Sequence, residues 1–138
     1  MYGSLDISTS GMIAQRIRMG AIAANIANSE TILDSSGNLN PFRKRLVHFS
    51  SGNPSAMSRS GRAMGVHVAE IKADADAIRP RYIPGSPYAD EQGYVPYPDI
   101  NPSLEQINAM QAARSYEANV VAAETSKQMM AQALRLLA

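Results

Sequence analysis

The chain of 138 residues contains no cysteine and no tryptophan, and only 6% of its residues are aromatic. Without cysteine it can form no disulfide, no thiolate metal site and no cysteine nucleophile. The 13 Lys and Arg residues nearly balance the 12 Asp and Glu residues, which leaves a formal net charge of +1. So small a charge does not favour nucleic acid or an anionic membrane surface as a partner. The length suits a single domain.

Signals for membrane insertion and for cleaved export are also missing. The first eight residues, MYGSLDIS, have no basic segment followed by an apolar run, so the sequence predicts no secretory signal peptide. No stretch approaches the roughly 18 consecutive apolar residues of a membrane span. We expect a protein that does not span the membrane and that is either cytoplasmic or exported without a cleaved signal.

Motifs that would indicate catalysis are absent from the sequence, including GxxxxGK[ST], HExxH and GxSxG. His48 and His67 fall in predicted strands and lack the spacing of a metal site. Asp90 and Glu91 could serve a small hydrolase, but their turn-like segment offers no fixed geometry for two carboxylates. We therefore expect no enzyme activity, no cofactor, no metal and no small-molecule substrate.

Proline is concentrated in one part of the chain. Six of the eight prolines lie in residues 80–102. Each proline fixes φ and removes a backbone donor, so this segment cannot be helical and is predicted to be an extended arm. The proline-free segments on either side, residues 5–28 and 103–138, are rich in aliphatic residues and predict helices.

The N-terminal segment predicts an amphipathic helix. An apolar residue recurs at every seventh position, at Leu5, Met12, Met19 and Ile26. Gly11 and Gly20 either weaken this helix by roughly 1 kcal/mol each or allow a neighbour to approach closely. At its end, Asn28 tolerates the left-handed conformation that terminates many helices.

The C-terminal segment predicts a longer helix, over about residues 103–137. A seam with alternating spacings of four and three runs along it, at Ala109, Ala113, Tyr116, Val120, Ala123, Lys127, Met130, Leu134 and Leu137. Pro102 suits the first turn, and Ser103 with Gln106 matches a capping box. The helix would be roughly 50 Å long, which exceeds the diameter of a compact domain of this size.

Residues 42–49 (FRKRLVHF) and 65–72 (GVHVAEIK) alternate well enough to predict two short strands that could pair as a hairpin. Residues 29–41 and 50–63 are rich in Ser, Asn and Gly, and predict loops. The predicted fold is therefore mainly α, with long N- and C-terminal helices in a coiled-coil-like pair. A discontinuous helical domain would comprise residues 1–31 and 103–138, and residues 32–102 would form a β-rich insertion that includes the proline-rich arm.

Both predicted helices carry few charges, which indicates that several of their faces are covered. They could pair as an antiparallel hairpin within one molecule, but two long helices alone leave much apolar surface in water, so we favour burial among many helices in an assembly. The basic triplet Arg43-Lys44-Arg45 could contact phosphate; the exposed face of a strand or a salt-bridged protein interface explains it equally well.

Several segments carry a family resemblance. Three of them are similar to the N-terminal signature of the flagellar rod, hook and hook-associated axial proteins: Leu5-Asp6-Ile7-Ser8-Thr9-Ser10-Gly11-Met12, Ala14-Gln15-Arg16 and Ala24-Asn25-Ile26-Ala27-Asn28. Three others resemble the proximal-rod proteins of the flagellar basal body: Gly93-Tyr94-Val95-Pro96-Tyr97-Pro98-Asp99-Ile100-Asn101-Pro102, Ala113-Arg114-Ser115-Tyr116-Glu117-Ala118-Asn119 and Ser126-Lys127-Gln128-Met129. Together they cover about half of the chain.

The resemblance implies a structural subunit of a hollow drive shaft that transmits torque and conducts exported subunits. It implies export by the flagellar type III apparatus, and a place in the periplasmic rod among copies of itself, other rod proteins and the base of the rod at the MS ring and export apparatus. The subunit interface is predicted at Leu5, Met12, Met19, Ile26, Tyr116, Val120, Met130, Leu134 and Leu137, with Asn25 and Asn28 binding backbone groups where the first helix ends. The alternative is a soluble coiled-coil oligomeric adaptor or export chaperone.

Overall fold

The computed structural model describes the backbone of residues 2–137 and the side chains of residues 3–136. Roughly half of the chain is helical. The described elements are, in chain order, α1 (Tyr2–Ala27), β1 (Arg45–Ser51), α2 (Arg59–Met64), β2 (Val66–Ala73), β3 (Ile78–Tyr82), β4 (Tyr94–Pro98) and α3 (Pro102–Leu137).

The two long helices pack against each other in antiparallel orientation. Near the end of α1, Asn25 lies beside Glu105 at the start of α3, with 2.9 Å between Asn25 Nδ2 and Glu105 Oε2. Further along, Arg18 Nη2 lies 3.4 Å from Gln111 Oε1. Both predicted helices are therefore confirmed, and the packing within one chain is the antiparallel hairpin.

Small residues make the close approach of α1 and α3 possible. On α1 the buried positions include Ser8, Gly11 and Ala14, and on α3 Ala112 is completely buried. A Cβ placed on Gly11 would lie only 2.6 Å from Asn119 Oδ1, so a side chain here would displace the Asn119 carboxamide, whose Nδ2 donates to the carbonyl of Ser115 at 2.8 Å. Gly20, in contrast, faces open space.

The ends of both helices differ in detail from the predicted caps. Asn101 Oδ1 accepts hydrogen bonds from the backbone N–H groups of Ser103 (3.0 Å) and Leu104 (3.3 Å), so Asn101 is the N-cap of α3 and the capping box predicted at Ser103 is wrong. No described residue other than glycine has a positive φ, so Asn28 does not end α1 in the left-handed conformation. Its Nδ2 instead donates to the carbonyl of Ala24 at 2.9 Å.

Strands β1 and β2 form the predicted antiparallel hairpin, from Arg45 opposite Ala73 to Ser51 opposite Val66, with a bulge between His48 and Phe49. The segment between them is not only a loop, as its composition suggested, because it contains α2. Ser58 caps α2 by accepting from Gly61 N at 2.9 Å, and Gly61 packs directly against Asp6 of α1. These tertiary contacts stabilise a helix of only six residues, RSGRAM, which is too short to be stable alone and contains a glycine.

Strands β3 and β4 pair with each other, so the proline-rich segment folds back on itself instead of extending as an arm. Pro80 lies opposite Pro96. Neither can donate, so this pair occupies a position where the ladder needs no N–H group. The same register places Tyr82 opposite Tyr94, whose rings meet edge to face at 5.3 Å. The turn is closed by Asp90, whose Oδ1 accepts from Gln92 N and Tyr94 N.

Few large side chains are buried. The buried apolar residues are mostly small, and Val95, in β4, is the largest of them that is completely buried. Within residues 2–137, no helix combines the length and the apolar composition needed to cross a membrane.

Gly11 and Gly20, both within α1, predict opposite effects of alanine. Gly11→Ala should lower the free energy of unfolding by about 1–3 kcal/mol, because its Cβ would overlap Asn119. Gly20→Ala, the matched control in the same helix, should raise it by about 0.5–1 kcal/mol, because it meets no neighbour and improves helix propensity. Urea unfolding followed by circular dichroism, in trimethylamine N-oxide if the isolated chain is only partly helical, measures both. Equal effects of the two substitutions would contradict close packing at Gly11.

Candidate assembly interface

A buried carboxylate joins the first helix, the last helix and the first strand. The side chain of Glu105, in the first turns of α3, is only 2% exposed. It accepts a hydrogen bond from Asn25 Nδ2 at 2.9 Å and forms an ion pair with Lys44 Nζ at 3.0 Å. Asn108 Nδ2 lies 3.4 Å from Oε1, the carboxylate oxygen that also pairs with Lys44. The carboxylate is therefore paired as well as buried, which is the condition under which a buried charge is tolerated.

Asn25 connects this carboxylate to the β1–β2 hairpin. Its Oδ1 accepts from the backbone N–H of Arg45 at 2.8 Å, and its Nδ2 donates to the carbonyl of Arg45 at 3.0 Å. The carboxamide thus binds both backbone groups of the first residue of β1, as a neighbouring strand would. Ser10 makes a second connection, because its Oγ accepts from Val66 N in β2 at 3.0 Å, so these two side chains of α1 position the hairpin.

The basic triplet is used inside the molecule. Lys44 pairs with Glu105, Arg43 Nη1 donates to the carbonyl of Ala75, and the Arg45 guanidinium lies 5.5 Å from the centre of the Phe42 ring. Three neighbouring cations therefore have three different structural partners. Sequence reasoning missed Glu105, because a single acidic residue in the first turn of a helix is explained well enough by the helix dipole.

The pKa of Glu105 lies below its ordinary value of 4.5. Burial by itself raises this pKa, but the hydrogen bonds from Asn25 and Lys44 and the charge of Lys44 lower it by more. The folded state therefore prefers the ionised carboxylate. Its contribution to stability is complete above pH 4.5 and is lost as the pH falls through the lower pKa of the folded state.

Most of the side chains predicted to form the subunit interface are half-buried within one chain. This holds for Leu5, Met12, Met19, Ile26, Asn28, Tyr116, Val120 and Met130, whereas Asn25 is buried. Leu134 is 68% exposed, and the side chain of Leu137 lies outside the described residues. A half-buried side chain in the α1–α3 pair still has apolar surface available to another molecule.

A second set of apolar residues, which the seam of the sequence did not include, is exposed on α3. Its members are Leu104, Ile107, Met110, Val121, Met129 and Leu136. The seven-residue pattern missed them because they lie on other faces of the same helix. Monomeric soluble proteins rarely expose so many large apolar side chains along one element, so these faces indicate contact with other molecules.

The residues considered for catalysis or metal binding make contacts that stabilise the fold. Asp90 holds the β3–β4 turn, and the ring of His67 lies with Nδ1 2.6 Å from the carbonyl of Gly52. Within residues 2–137, no three His, Asp or Glu side chains converge as metal ligands would. The exposed apolar faces of α3 are the candidate functional site.

Comparison with known proteins gives matches at both ends of the chain. Residues 5–31, which cover most of α1, match the family model "Flagella basal body rod protein", and residues 91–136 match "Flagellar basal body rod FlgEFG protein C-terminal". The flagellar basal-body rod protein FlgC of Bacillus subtilis is 37% identical, over 98% of this chain and 97% of the relative. FlgC of Aquifex aeolicus is 38% identical (94% and 91%), and that of Escherichia coli O157:H7 is 36% identical (95% and 93%).

Removing the cation that faces the buried carboxylate should destabilise the fold. Lys44→Met should lower the free energy of unfolding by about 3 kcal/mol, because it leaves Glu105 charged and unpaired. The double variant Lys44→Met/Glu105→Gln should recover most of that loss. Glu30→Gln, which breaks the exposed pair with Arg81 and leaves the Arg81 guanidinium 4.4 Å from the centre of the Tyr97 ring, is the control and should cost less than about 1 kcal/mol. Urea unfolding, in trimethylamine N-oxide if the isolated chain is only partly helical, measures all three, and equal losses at Lys44 and Glu30 would contradict the role of the buried pair.

Glu105 also predicts a pH dependence of stability. Between pH 7 and 5 the stability contributed by its ionised form should be constant, and below pH 4.5 it should decline, because the unfolded state takes up the proton first. Glu105→Gln should remove this part of the decline. The free energy of unfolding of both proteins, measured from pH 7 to pH 3, tests this: identical slopes below pH 4.5 would show that Glu105 does not contribute.

Proposed function

Because this chain belongs to the FlgC family of flagellar basal-body rod proteins, we propose that it assembles helically, with copies of itself and with other rod proteins, into a hollow shaft. It is a structural subunit of the proximal rod and not an enzyme. The observation that carries the proposal is the coincidence of the family matches with α1 and α3, the two helices that pack together and still expose apolar faces.

Assembly would cover the surfaces that one chain leaves in water. We assign the subunit interface to the half-buried seam, Leu5, Met12, Met19, Ile26, Tyr116, Val120 and Met130, together with the exposed Leu134. Leu137, whose side chain lies outside the described residues, is proposed as a further member. The exposed side of α3, at Ile107 and Val121, would extend this interface. The segments 1–31 and 103–138 would then form the helical domain of the shaft, and residues 32–102 would contact neighbours around it.

We expect folding to be coupled to assembly because the apolar core of one chain is small. A chain that buries mainly small side chains gains little free energy from burial to offset the ordering of two long helices. The isolated subunit is then only partly helical. When it docks onto the growing rod, the neighbouring subunits cover its exposed apolar side chains and stabilise the helices. If one surface of a subunit binds a different surface of the next, subunits can be added repeatedly in one direction, as a shaft requires.

Export and location are proposed on the same basis. A subunit of a periplasmic shaft has to leave the cytoplasm, and partly unfolded chains without disulfides suit a narrow type III channel. The base of the rod, where the MS ring and the export apparatus lie, is the neighbourhood proposed for a proximal subunit. The assembled shaft would transmit torque and conduct later export substrates. A soluble adaptor or chaperone does not account for rod-protein matches on both long helices.

An exposed apolar position on α3 tests the interface without disturbing the fold. Ile107→Asp should lower the amount of this chain in isolated basal bodies by about tenfold or more, because it places a charge in a surface that assembly buries. The amount exported to the medium should not change. Gln106→Asp adds the same charge at the neighbouring exposed residue and is the control. Normal incorporation of the Ile107→Asp chain would refute the assignment.

The state of the isolated chain distinguishes the two classes of function. Circular dichroism and size-exclusion chromatography of the purified chain, at several concentrations, should show a monomer with much less helix than the folded structure contains. The remaining helix of the folded structure would form only on assembly. A stable and highly helical oligomer of defined size would favour the adaptor instead.

A further inference from the structure

An open cleft of about 260 Å³ lies where α1, β1 and the start of α3 meet. Its apolar lining comes from Ala21 and Ile22 on α1 and from Leu46 and Val47 on β1. The volume is below the roughly 300–1,000 Å³ of a typical small-molecule site, so the cleft suits a side chain of another protein better than a ligand. Leu46 is still 36% exposed, so part of this apolar surface remains in water.

Three cations line the same cleft. They are Arg18 of α1, Lys44 just before β1 and Arg45 at the first position of β1. The one carboxylate in the lining, Glu105, pairs with Lys44, so the cleft keeps an excess of two positive charges. Within the part of the chain that the structure describes, Arg18 forms no ion pair, and its side chain contacts the neutral Gln111. The result is a basic cleft with an apolar lining.

The chain carries a matching surface in the middle of α3. Val121 is 61% exposed, and Glu117 and Glu124, four residues before it and three after it, are exposed on the same side of the helix. About 10 Å of helix separates the two glutamates. Neither forms an ion pair within residues 3–136. This acidic strip therefore presents one apolar side chain between two unpaired negative charges.

We propose that the acidic strip of one copy, formed by Glu117, Val121 and Glu124, docks into the basic cleft of a second copy. Val121 would enter the apolar lining, and the two carboxylates would lie near Arg18 and the other cations. The inference rests on the proposed function and names one contact between copies in the assembly. Charge complementarity selects this contact, because two unpaired carboxylates meet a cleft with an excess of two positive charges.

The contact has to join two molecules. Asn108 lines the cleft and lies on the same helix as Val121, about 20 Å away along the helix axis. A chain therefore cannot place its own Val121 in its own cleft. Because the strip and the cleft are different surfaces, each copy can offer its strip to one neighbour and its cleft to another, and the contact can repeat.

Two other exposed acidic segments of the chain fit the cleft less well. Glu70 precedes the exposed Ile71, but successive side chains of a strand point to opposite faces of the sheet. Asp90, near the exposed Tyr88, accepts hydrogen bonds from two backbone N–H groups of its own turn. The strip on α3, in contrast, holds an apolar side chain and two unpaired carboxylates on one side of a helix.

Disulfide formation tests which surfaces meet, because the chain has no cysteine of its own. Leu46→Cys/Val121→Cys places one thiol in the cleft and one in the strip. A disulfide needs the two Cβ atoms to lie within about 4.5 Å of each other. Oxidation of isolated basal bodies with copper phenanthroline should therefore link successive copies into a ladder of dimers, trimers and larger products. Each single-cysteine variant should give no ladder.

The matched control moves the second thiol by one residue. Leu46→Cys/Ala122→Cys puts it at another exposed position, turned by about 100° around the helix, and should give no ladder. Equal ladders from the two double variants would overturn the proposal. If the Leu46→Cys/Val121→Cys chain is incorporated at the parental amount but gives no ladder, a different protein occupies the cleft and the proposal is wrong.

Charge reversal tests the chemistry of the contact independently. Arg18→Glu should lower the amount of this chain in isolated basal bodies by about tenfold, because it adds a carboxylate to an acidic contact. Adding Glu117→Arg or Glu124→Arg should restore most of that amount for whichever carboxylate faces residue 18. Adding Glu91→Arg, which makes the same change in the exposed β3–β4 turn, is the control and should not restore it.

The outcomes of charge reversal separate this contact from the proposed function. Parental incorporation of Arg18→Glu would overturn the proposal, and so would recovery with Glu91→Arg or with neither of the strip substitutions. Absence of the unsubstituted chain from basal bodies would instead refute the proposed function.

Discussion

The fold depends on the buried carboxylate of Glu105 and the carboxamide of Asn25 beside it. Asn25 binds this carboxylate on α3 and both backbone groups of Arg45 on β1, so one side chain of α1 positions two other elements. Lys44, the residue before β1, neutralises the charge. If any member is removed, a polar group is left buried without a partner, which costs more than the interaction contributes. The three elements are therefore held in one arrangement despite a small apolar core.

The distribution of large and small side chains connects this fold to assembly. The contacts within the chain use glycine, serine and alanine, as where Gly11 receives Asn119, and bring the helix axes close together. The larger side chains of α3, such as Ile107 and Val121, remain exposed. A chain that keeps its large apolar groups outside gains most of its hydrophobic stabilisation only when other subunits cover them. Folding of one subunit thus buries the small side chains, and assembly of the proposed shaft would bury the large apolar ones.

Sequence patterns predicted the helices and the β1–β2 hairpin, because their periodicity and their boundaries are local properties of the chain. These patterns were less successful where tertiary contacts determine the local structure. Helix α2 is only six residues long and is held by the contact of Gly61 with Asp6, which no local pattern reveals. The proline-rich segment looked like an arm, because local rules exclude helix but do not show that Pro80 and Pro96 lie opposite each other, where neither has to donate.

The sequence by itself determined where the long helices lie, the family resemblance and the absence of catalytic motifs. Which partner each cation of residues 43–45 takes and the pairing of Glu105 with Asn25 were decided only by the tertiary structure. The reason is physical: helical periodicity is set by neighbours three and four residues apart, whereas the ionic contact joins residues 61 positions apart in the chain and the carboxamide contact joins residues 80 apart. Contacts over such distances depend on how all the elements pack, and local sequence carries no direct record of them.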